Sequence, residues 1–231
     1  DTLAARLRDA DIVVSIRERV PFTRALLERL PKLRLIALLG RTAATIDFAA
    51  CTELGIPVTV GVSNSPDSPA EHTLALMLAS RRNIASEAEG IRRGALPSTV
   101  SHRLRGATLG IYGLGAIGEL VAQGGKGIGM NVLVWGRERS LAKAHDLGFA
   151  VASSSAELFE RSDVLSLHVR LSKETRGIVG PADLARMTPT ALLVNTSRAE
   201  LIQPGALLAA LRQGRPGFAA VDVYEEEPVA P

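Results

Sequence analysis

Gly113, Gly115 and Gly118 stand in the spacing Gly-x-Gly-x-x-Gly, directly after the apolar run Thr108 to Tyr112 and at the mouth of a helical pattern that begins near Ala116. The chemistry this suits is the holding of phosphates. Gly113 permits a tight turn, Gly115 lets the backbone approach a pyrophosphate, and Gly118 lets the following helix close on the sheet. The N–H groups and positive end of that helix supply the attraction for the anion. The same spacing also describes a turn that merely packs closely, but a strand before it and a βαβ pattern after it favour a dinucleotide.

The next apolar run ends at Trp135, where an acid would receive a ribose 2′-hydroxyl; Gly136 stands there, followed by Arg137, Glu138 and Arg139. An arginine suits a 2′-phosphate, because its planar fork matches phosphate oxygens. Glu138 could in part replace the acid. NADP and NAD both remain open, with the arginines favouring NADP. Two later runs end in polar groups that a buried strand has no need of, Asn195-Thr196-Ser197-Arg198 and Asp222. Both are expected to face one crevice, where an arginine could anchor a substrate carboxylate and polarise the adjacent carbonyl.

These residues need a scaffold, and the sequence supplies one by alternating short β-branched runs with longer helical patterns, the signature of βαβ units. In the first part Ile12 to Val14, Leu35 to Leu39 and Val58 to Val60 read as strands, with helical stretches Phe22 to Leu30 and Asp47 to Leu54 between them. A Ser/Asn/Pro loop, Ser63 to Pro69, opens a long helix from about Ala70 to Arg93. Its segment Thr73 to Ala79 is apolar on nearly every side, so burial all round is expected. Gly94 to Ser101 then connects to strands at Thr108–Tyr112, Asn131–Trp135, Phe149–Ala152, Val164–His168, Ala191–Asn195 and Phe218–Asp222. Right-handed crossovers turn this rhythm into a doubly wound parallel sheet that binds ligands at its carboxyl edge. The expected class is α/β: a Rossmann dinucleotide domain over residues 94–231, and an incomplete flavodoxin-like substrate domain over 1–93 that carries the long helix.

Composition limits the rest. With 231 residues, 46% hydrophobic and 22% charged, the chain reads as an ordinary globular protein of one large or two small domains. A single cysteine, Cys51, allows no intrachain disulfide and no cysteine-rich metal site, and a reducing cytoplasm is the simplest setting. A net charge of +3 could suggest nucleic acid, but the basic residues are scattered among acids and aromatics make up only 3%, which leaves little for base stacking. No run is long enough for a bilayer. The opening on Asp1 and the stop at Pro231, inside a Glu/Pro stretch, read as a fragment of a longer polypeptide.

Four runs carry a specific resemblance: Leu109 to Gly118 (LGIYGLGAIG), Leu167 to Gly177 (LHVRLSKETRG), Leu193 to Arg198 (LVNTSR) and Val221 to Pro228 (VDVYEEEP). In this order they resemble the D-isomer-specific 2-hydroxyacid dehydrogenases, the phosphoglycerate-dehydrogenase-like family. Leu39 to Asp47 and Ala70 to Leu78 are similar to its substrate loop and interdomain helix. The resemblance implies two lobes holding the reactants, hydride transfer between NAD(P) and a 2-hydroxy or 2-keto acid, and a homodimer. It makes Arg198 the substrate-anchoring arginine and Glu227 the glutamate that raises the pKa of a catalytic histidine. Asp222 becomes the acid at the nicotinamide end, with Ala116, Ile117, His168, Thr196 and Ser197 at cofactor positions. Backbone groups of Leu39, Gly40 and Arg41 would take the substrate carboxylate. A glutamate beside an imidazole stabilises imidazolium, which can then protonate the substrate oxygen.

This sequence departs from the family pattern at Arg170, where a proline is usual, and at Ala199, where a glycine is usual. The family's histidine lies beyond the Glu-Pro pair and is expected downstream of Pro231; His72, His102, His145 and His168 do not match it. Gly124, Gly125 and Gly127 are poor helix formers in a helical stretch. A different class of function, an NAD(H)-sensing binding protein resembling corepressors built on this scaffold, and a cofactor-binding fragment without turnover are the alternatives.

Overall fold

The computed structural model describes residues 2–16, 20–39, 45–61, 65–97, 99–227 and 229, which form two compact units divided between Ser65 and Pro66. The first contains α1 (Thr2–Leu7), β1 (Ile12–Ser15), α2 (Arg24–Leu27), β2 (Leu35–Leu38), α3 (Phe48–Glu53) and β3 (Val58–Val60). Its three strands are parallel in the order β1-β2-β3, with Ile12 opposite Leu35 and Ile36 opposite Val58. Leu27, Ile36, Ala50 and Cys51 fill the core. The helix expected from Phe22 is shorter because Phe22 is taken into a parallel bridge with Ile46. Asp47 precedes α3 and caps it, its Oδ1 accepting the Ala50 N–H at 2.9 Å.

The second unit opens with α4 (Asp67–Arg81) and α5 (Ile84–Arg92) and continues through β4 (Thr108–Tyr112), α6 (Ala116–Gly127), β5 (Asn131–Trp135), α7 (Glu138–Asp146), β6 (Ala150–Val151) and α8 (Ser155–Arg161). It ends with β7 (Val164–Leu167), α9 (Pro181–Leu184), β8 (Leu192–Asn195), a 3-10 turn over Ala199–Leu201, α10 (Ala206–Arg212) and β9 (Phe218–Val221). The six strands are parallel in the order β6-β5-β4-β7-β8-β9. Strand order reverses between β4 and β7, so the crevice of a doubly wound sheet opens at their carboxyl ends.

Period-two alternation divides the core in two. Leu109, Ile111, Val132, Val134, Leu192 and Val194 face a layer with Met77, Val121 and Ala122. Leu133, Leu165, Leu167 and Leu193 face another with Leu158, Phe159, Leu184 and Met187.

Two expectations need correction. The long helix is two, because Asn83 takes a left-handed conformation with φ of 54° between α4 and α5. Nor is α4 buried all round: Ala70, Thr73, Met77 and Arg81 form one buried stripe, while Glu71, Ala75 and Leu78 are exposed. That stripe packs on α6, β8 and β9, so α4 belongs to the second unit and the division falls at 65/66, not at 93/94.

Two glycines of α6 acquire a reason. A Cβ on Gly124 would lie 2.6 Å from Leu74 of α4, and one on Gly125 would run into Leu109 of β4. Their bare backbone lets α6 approach both neighbours; a Cβ on Gly127 would meet open space, and nothing in the structure explains that glycine. At the far end of α4, the buried Arg81 guanidinium donates to the carbonyls of Thr190, at 2.7 Å, and Asp163, and sits 5.7 Å above the Phe218 ring. Burial lowers its pKa to about 10, so it stays charged at neutral pH.

Candidate dinucleotide site

At the carboxyl end of β4 the chain turns through Gly113, with φ of 93°, into Gly115, which precedes α6 in extended conformation and offers no side chain to cap it. A Cβ on Gly113 would lie 2.9 Å from the His168 carbonyl, and one on Gly118 would collide with the Gly113 carbonyl. Around Gly115 a Cβ would meet open space. The outer two glycines are therefore set by packing, while the middle one borders a void. The Ser140 hydroxyl of α7 accepts the Leu114 N–H at 3.2 Å and braces the loop.

That void is a cavity of about 250 Å³ lined by Pro69, Gly115 to Gly118, His168 to Arg170, Thr196 and Ser197. It gathers Gly115, Ala116, Ile117, Gly118, His168, Thr196 and Ser197 of the expected cofactor residues. Gly113 shapes the turn behind it. Arg198, Asp222, Arg137 and Glu227 are not part of its lining.

Side-chain bonds fix the wall opposite the glycines. Asn195, buried at the end of β8, accepts the Ser197 N–H at 3.0 Å and donates to the Arg198 carbonyl at 3.0 Å, holding the turn that presents Thr196 and Ser197. The Ser197 hydroxyl donates to the Val169 carbonyl at 3.0 Å. Thr196 Oγ1 lies 2.7 Å from Thr73 Oγ1, and Thr73 donates to the Pro69 carbonyl at 2.7 Å. Thr175 ties down the loop after β7, donating to the Arg170 carbonyl at 2.7 Å and accepting the Ser172 N–H at 2.7 Å.

The His168 ring sits behind the glycine loop with Nε2 2.9 Å from Ser166 Oγ, and desolvation holds its pKa down at about 4, so it is neutral. Arg198 is exposed and donates to the Ser197 carbonyl at 2.8 Å. Asp222, just past β9, meets His72 of α4, with Oδ1 3.3 Å from Nε2. Arg137 is exposed and immediately precedes α7. Glu227 is exposed. In the first unit Leu39 is exposed and donates its N–H to the Ser15 carbonyl at 3.1 Å; Gly40 and Arg41 lie outside the described residues.

Pro69, Thr73, Ser140 and Thr175 escaped the sequence reading. Thr73 alone left a trace there, since it falls at helical spacing with Ala70 and Met77 along a stripe that must face the protein interior.

A glycine turn, an uncapped helix end and a void bordered by hydroxyls suit a pyrophosphate flanked by groups rich in N–H and O–H. Residues 74–231 match the family model described as D-isomer specific 2-hydroxyacid dehydrogenase, NAD binding domain. The chain belongs to that family. Over its whole length it is 37% identical to a glyoxylate reductase of Aeropyrum pernix, of which it spans 71%. It is equally identical, at 37% over 99% of the chain, to a D-3-phosphoglycerate dehydrogenase of Methanocaldococcus jannaschii, of which it spans 44%. A phosphoglycerate oxidoreductase from Vibrio cholerae superposes with a TM-score of 0.94 and 46% identity, covering all of this chain and 74% of that one. In this D-2-hydroxyacid dehydrogenase the second unit is the Rossmann-type NAD-binding domain, and the fold expected from the sequence is borne out there.

Proposed function

We propose that the protein is an NAD(P)-dependent oxidoreductase that interconverts a D-2-hydroxy acid and its 2-keto acid. The observation that carries this reading is the cavity where the Gly115–Gly118 backbone faces Thr196 and Ser197. The cofactor supplies the hydride donor or acceptor; the protein supplies geometry and charge. The first turn of α6 holds the pyrophosphate. Arg198, on the turn after β8, binds the substrate carboxylate and polarises the neighbouring carbonyl. Glu227 raises the pKa of an imidazole that hands the substrate oxygen its proton. The family resemblance puts that imidazole downstream of residue 231. His102 packs edge-on against Phe218 at 5.4 Å, His72 is engaged by Asp222 and His168 sits behind the glycine loop.

NADP is the favoured cofactor. A side chain at position 136 would crowd Ser140, 3.0 Å from its Cβ and 3.1 Å from its Oγ, and Ser140 braces the glycine loop. An acid for a 2′-hydroxyl there would need Ser140 to give way by a few tenths of an ångström, whereas Arg137 and Arg139 are exposed beside it. A homodimer is supported by the apolar surface of α5 and the segment after it, where Ile84, Ile91, Leu96 and Val100 are 55%, 58%, 87% and 88% exposed. Among the described residues no helix is long and apolar enough to cross a membrane. A cytoplasmic setting and an absence of nucleic-acid partners rest on composition alone.

The deciding experiment follows NADPH and NADH oxidation against glyoxylate, hydroxypyruvate, pyruvate and phosphohydroxypyruvate, using the longest available form of the polypeptide, with an Arg198→Gln variant beside it. Turnover of at least one 2-keto acid is expected. Losing the arginine should cut kcat/KM about 100-fold, the scale of a charge-assisted bidentate contact, with cofactor affinity unchanged. Dinucleotide binding without turnover of any 2-keto acid would sink the proposal.

A further inference from the structure

Thr73 is fully buried and takes part in two hydrogen bonds with a single proton. The Pro69 carbonyl can only accept, so Thr73 must donate to it across 2.7 Å. The 2.7 Å contact with Thr196 then has one direction left: Thr196 donates and Thr73 accepts. This commits the only proton of the Thr196 hydroxyl away from the cavity it lines. Ser197 is in the same state, its proton given to the Val169 carbonyl. Both hydroxyls can therefore offer a ligand nothing but lone pairs.

The cavity is polarised as a result. Along one side run the N–H groups of the first turn of α6, which donate to an anion. Along the other, at the end of β8 and two strand spacings or about 10 Å from β4, the polar side chains are acceptors. We infer that Thr73 is a positioning residue for cofactor recognition: it holds Thr196 as an acceptor, so the ligand group seated against Thr196 must be an N–H or O–H donor. The inference rests on the dinucleotide reading of the site. On a dinucleotide, at that distance from the pyrophosphate, two groups have this chemistry: the nicotinamide carboxamide NH2 and the hydroxyls of the nicotinamide ribose.

The test measures dissociation constants by calorimetry for NADP+ and for two analogues. One carries 3-acetylpyridine, which lacks the amide donor but keeps a carbonyl acceptor; the other carries the hydroxyls of the nicotinamide ribose as methyl ethers, which accept but cannot donate. Thr73→Val removes the acceptor for the Thr196 proton, and Thr73→Ala does so without any steric load, should the valine impair folding. Thr73→Ser retains the hydroxyl.

In the wild type and Thr73→Ser, at least one analogue should bind about tenfold more weakly than NADP+, the size of one hydrogen bond. In the valine or alanine variant that penalty should fall below about threefold, because the freed Thr196 hydroxyl can face a ligand with either its proton or its lone pairs. The analogue affected identifies the donor. A purely structural role would weaken all three ligands alike. A penalty that survives in a folded variant, or that neither analogue shows in the wild type, overturns the inference, whereas failure of the wild type to bind NAD+ or NADP+ at all would overturn the dinucleotide reading itself.

Discussion

Nε2 of His72 lies 3.3 Å from Oδ1 of Asp222, joining the first turns of α4 to the residue that follows β9. Both side chains are nearly half exposed, at 48% and 44%, and an exposed pair of this kind contributes at most about 1 kcal/mol to stability. On the proposed function its value would lie in orientation, since the family resemblance puts Asp222 at the nicotinamide end. A His72→Asn variant is expected to melt within a few degrees of wild type yet bind NADP+ several-fold more weakly. Calorimetry beside a thermal melt checks this; a large fall in melting temperature with unchanged affinity would assign the pair to folding instead.

The glycines of the turn should separate by role. Gly115→Val adds atoms in open space, so the fold is expected to survive while dinucleotide binding is lost. Gly118→Val drives a side chain into the Gly113 carbonyl, and overpacking of this sort costs about 1–3 kcal/mol or more. Denaturant unfolding and equilibrium dialysis of the two variants distinguish them, and equal destabilisation of both would contradict the assignment.

The proposed preference for NADP rests on Arg137 at the start of α7. Arg137→Ala is expected to weaken NADP+ about 10- to 100-fold, in keeping with loss of a charge-assisted contact, and to leave NAD+ within about twofold. Parallel titrations read this directly. Equal loss for both cofactors would place Arg137 away from the 2′-phosphate.

Stability should fall in mild acid on account of His168. Its pKa is lowered to about 4 in the folded chain from an ordinary value of 6.5, so the unfolded chain binds the proton first as pH drops. The stabilisation is complete above pH 6.5 and is lost progressively toward pH 4. Between pH 7.5 and 4.5 this amounts to roughly 2–3 kcal/mol by linkage. His168→Asn should lack this component, which urea unfolding at several pH values would show as a narrowing gap between variant and wild type. Parallel curves would mean that His168 does not titrate in this range.

What the sequence disclosed follows from what kind of signal each feature leaves. Strands such as β7 and β8, buried on both faces, appear as short apolar runs, and the glycine turn announces itself because backbone conformation restricts residue type at Gly113 and close packing does so at Gly118. The Ala70–Arg93 stretch reads as one buried helix for a local reason: a left-handed Asn83 has no periodicity to betray it, and exposed Ala75 and Leu78 look like core residues in a one-dimensional pattern. Thr73 and Ser140 could not be assigned roles, since their partners, Thr196 and Leu114, lie 123 and 26 residues away. Gly124 became intelligible only when Leu74 was found against it.

Because Leu74 fits the bare face of Gly124 on α6, and Arg81 reaches the carbonyls of Asp163 and Thr190, α4 and the rest of the second unit behave as lock and key cut from one block. Recombination between relatives would meet that constraint at once. A chimaera joined at Gly94 sets one parent's key in the other's lock, while one joined at Ser65 inherits the matched set.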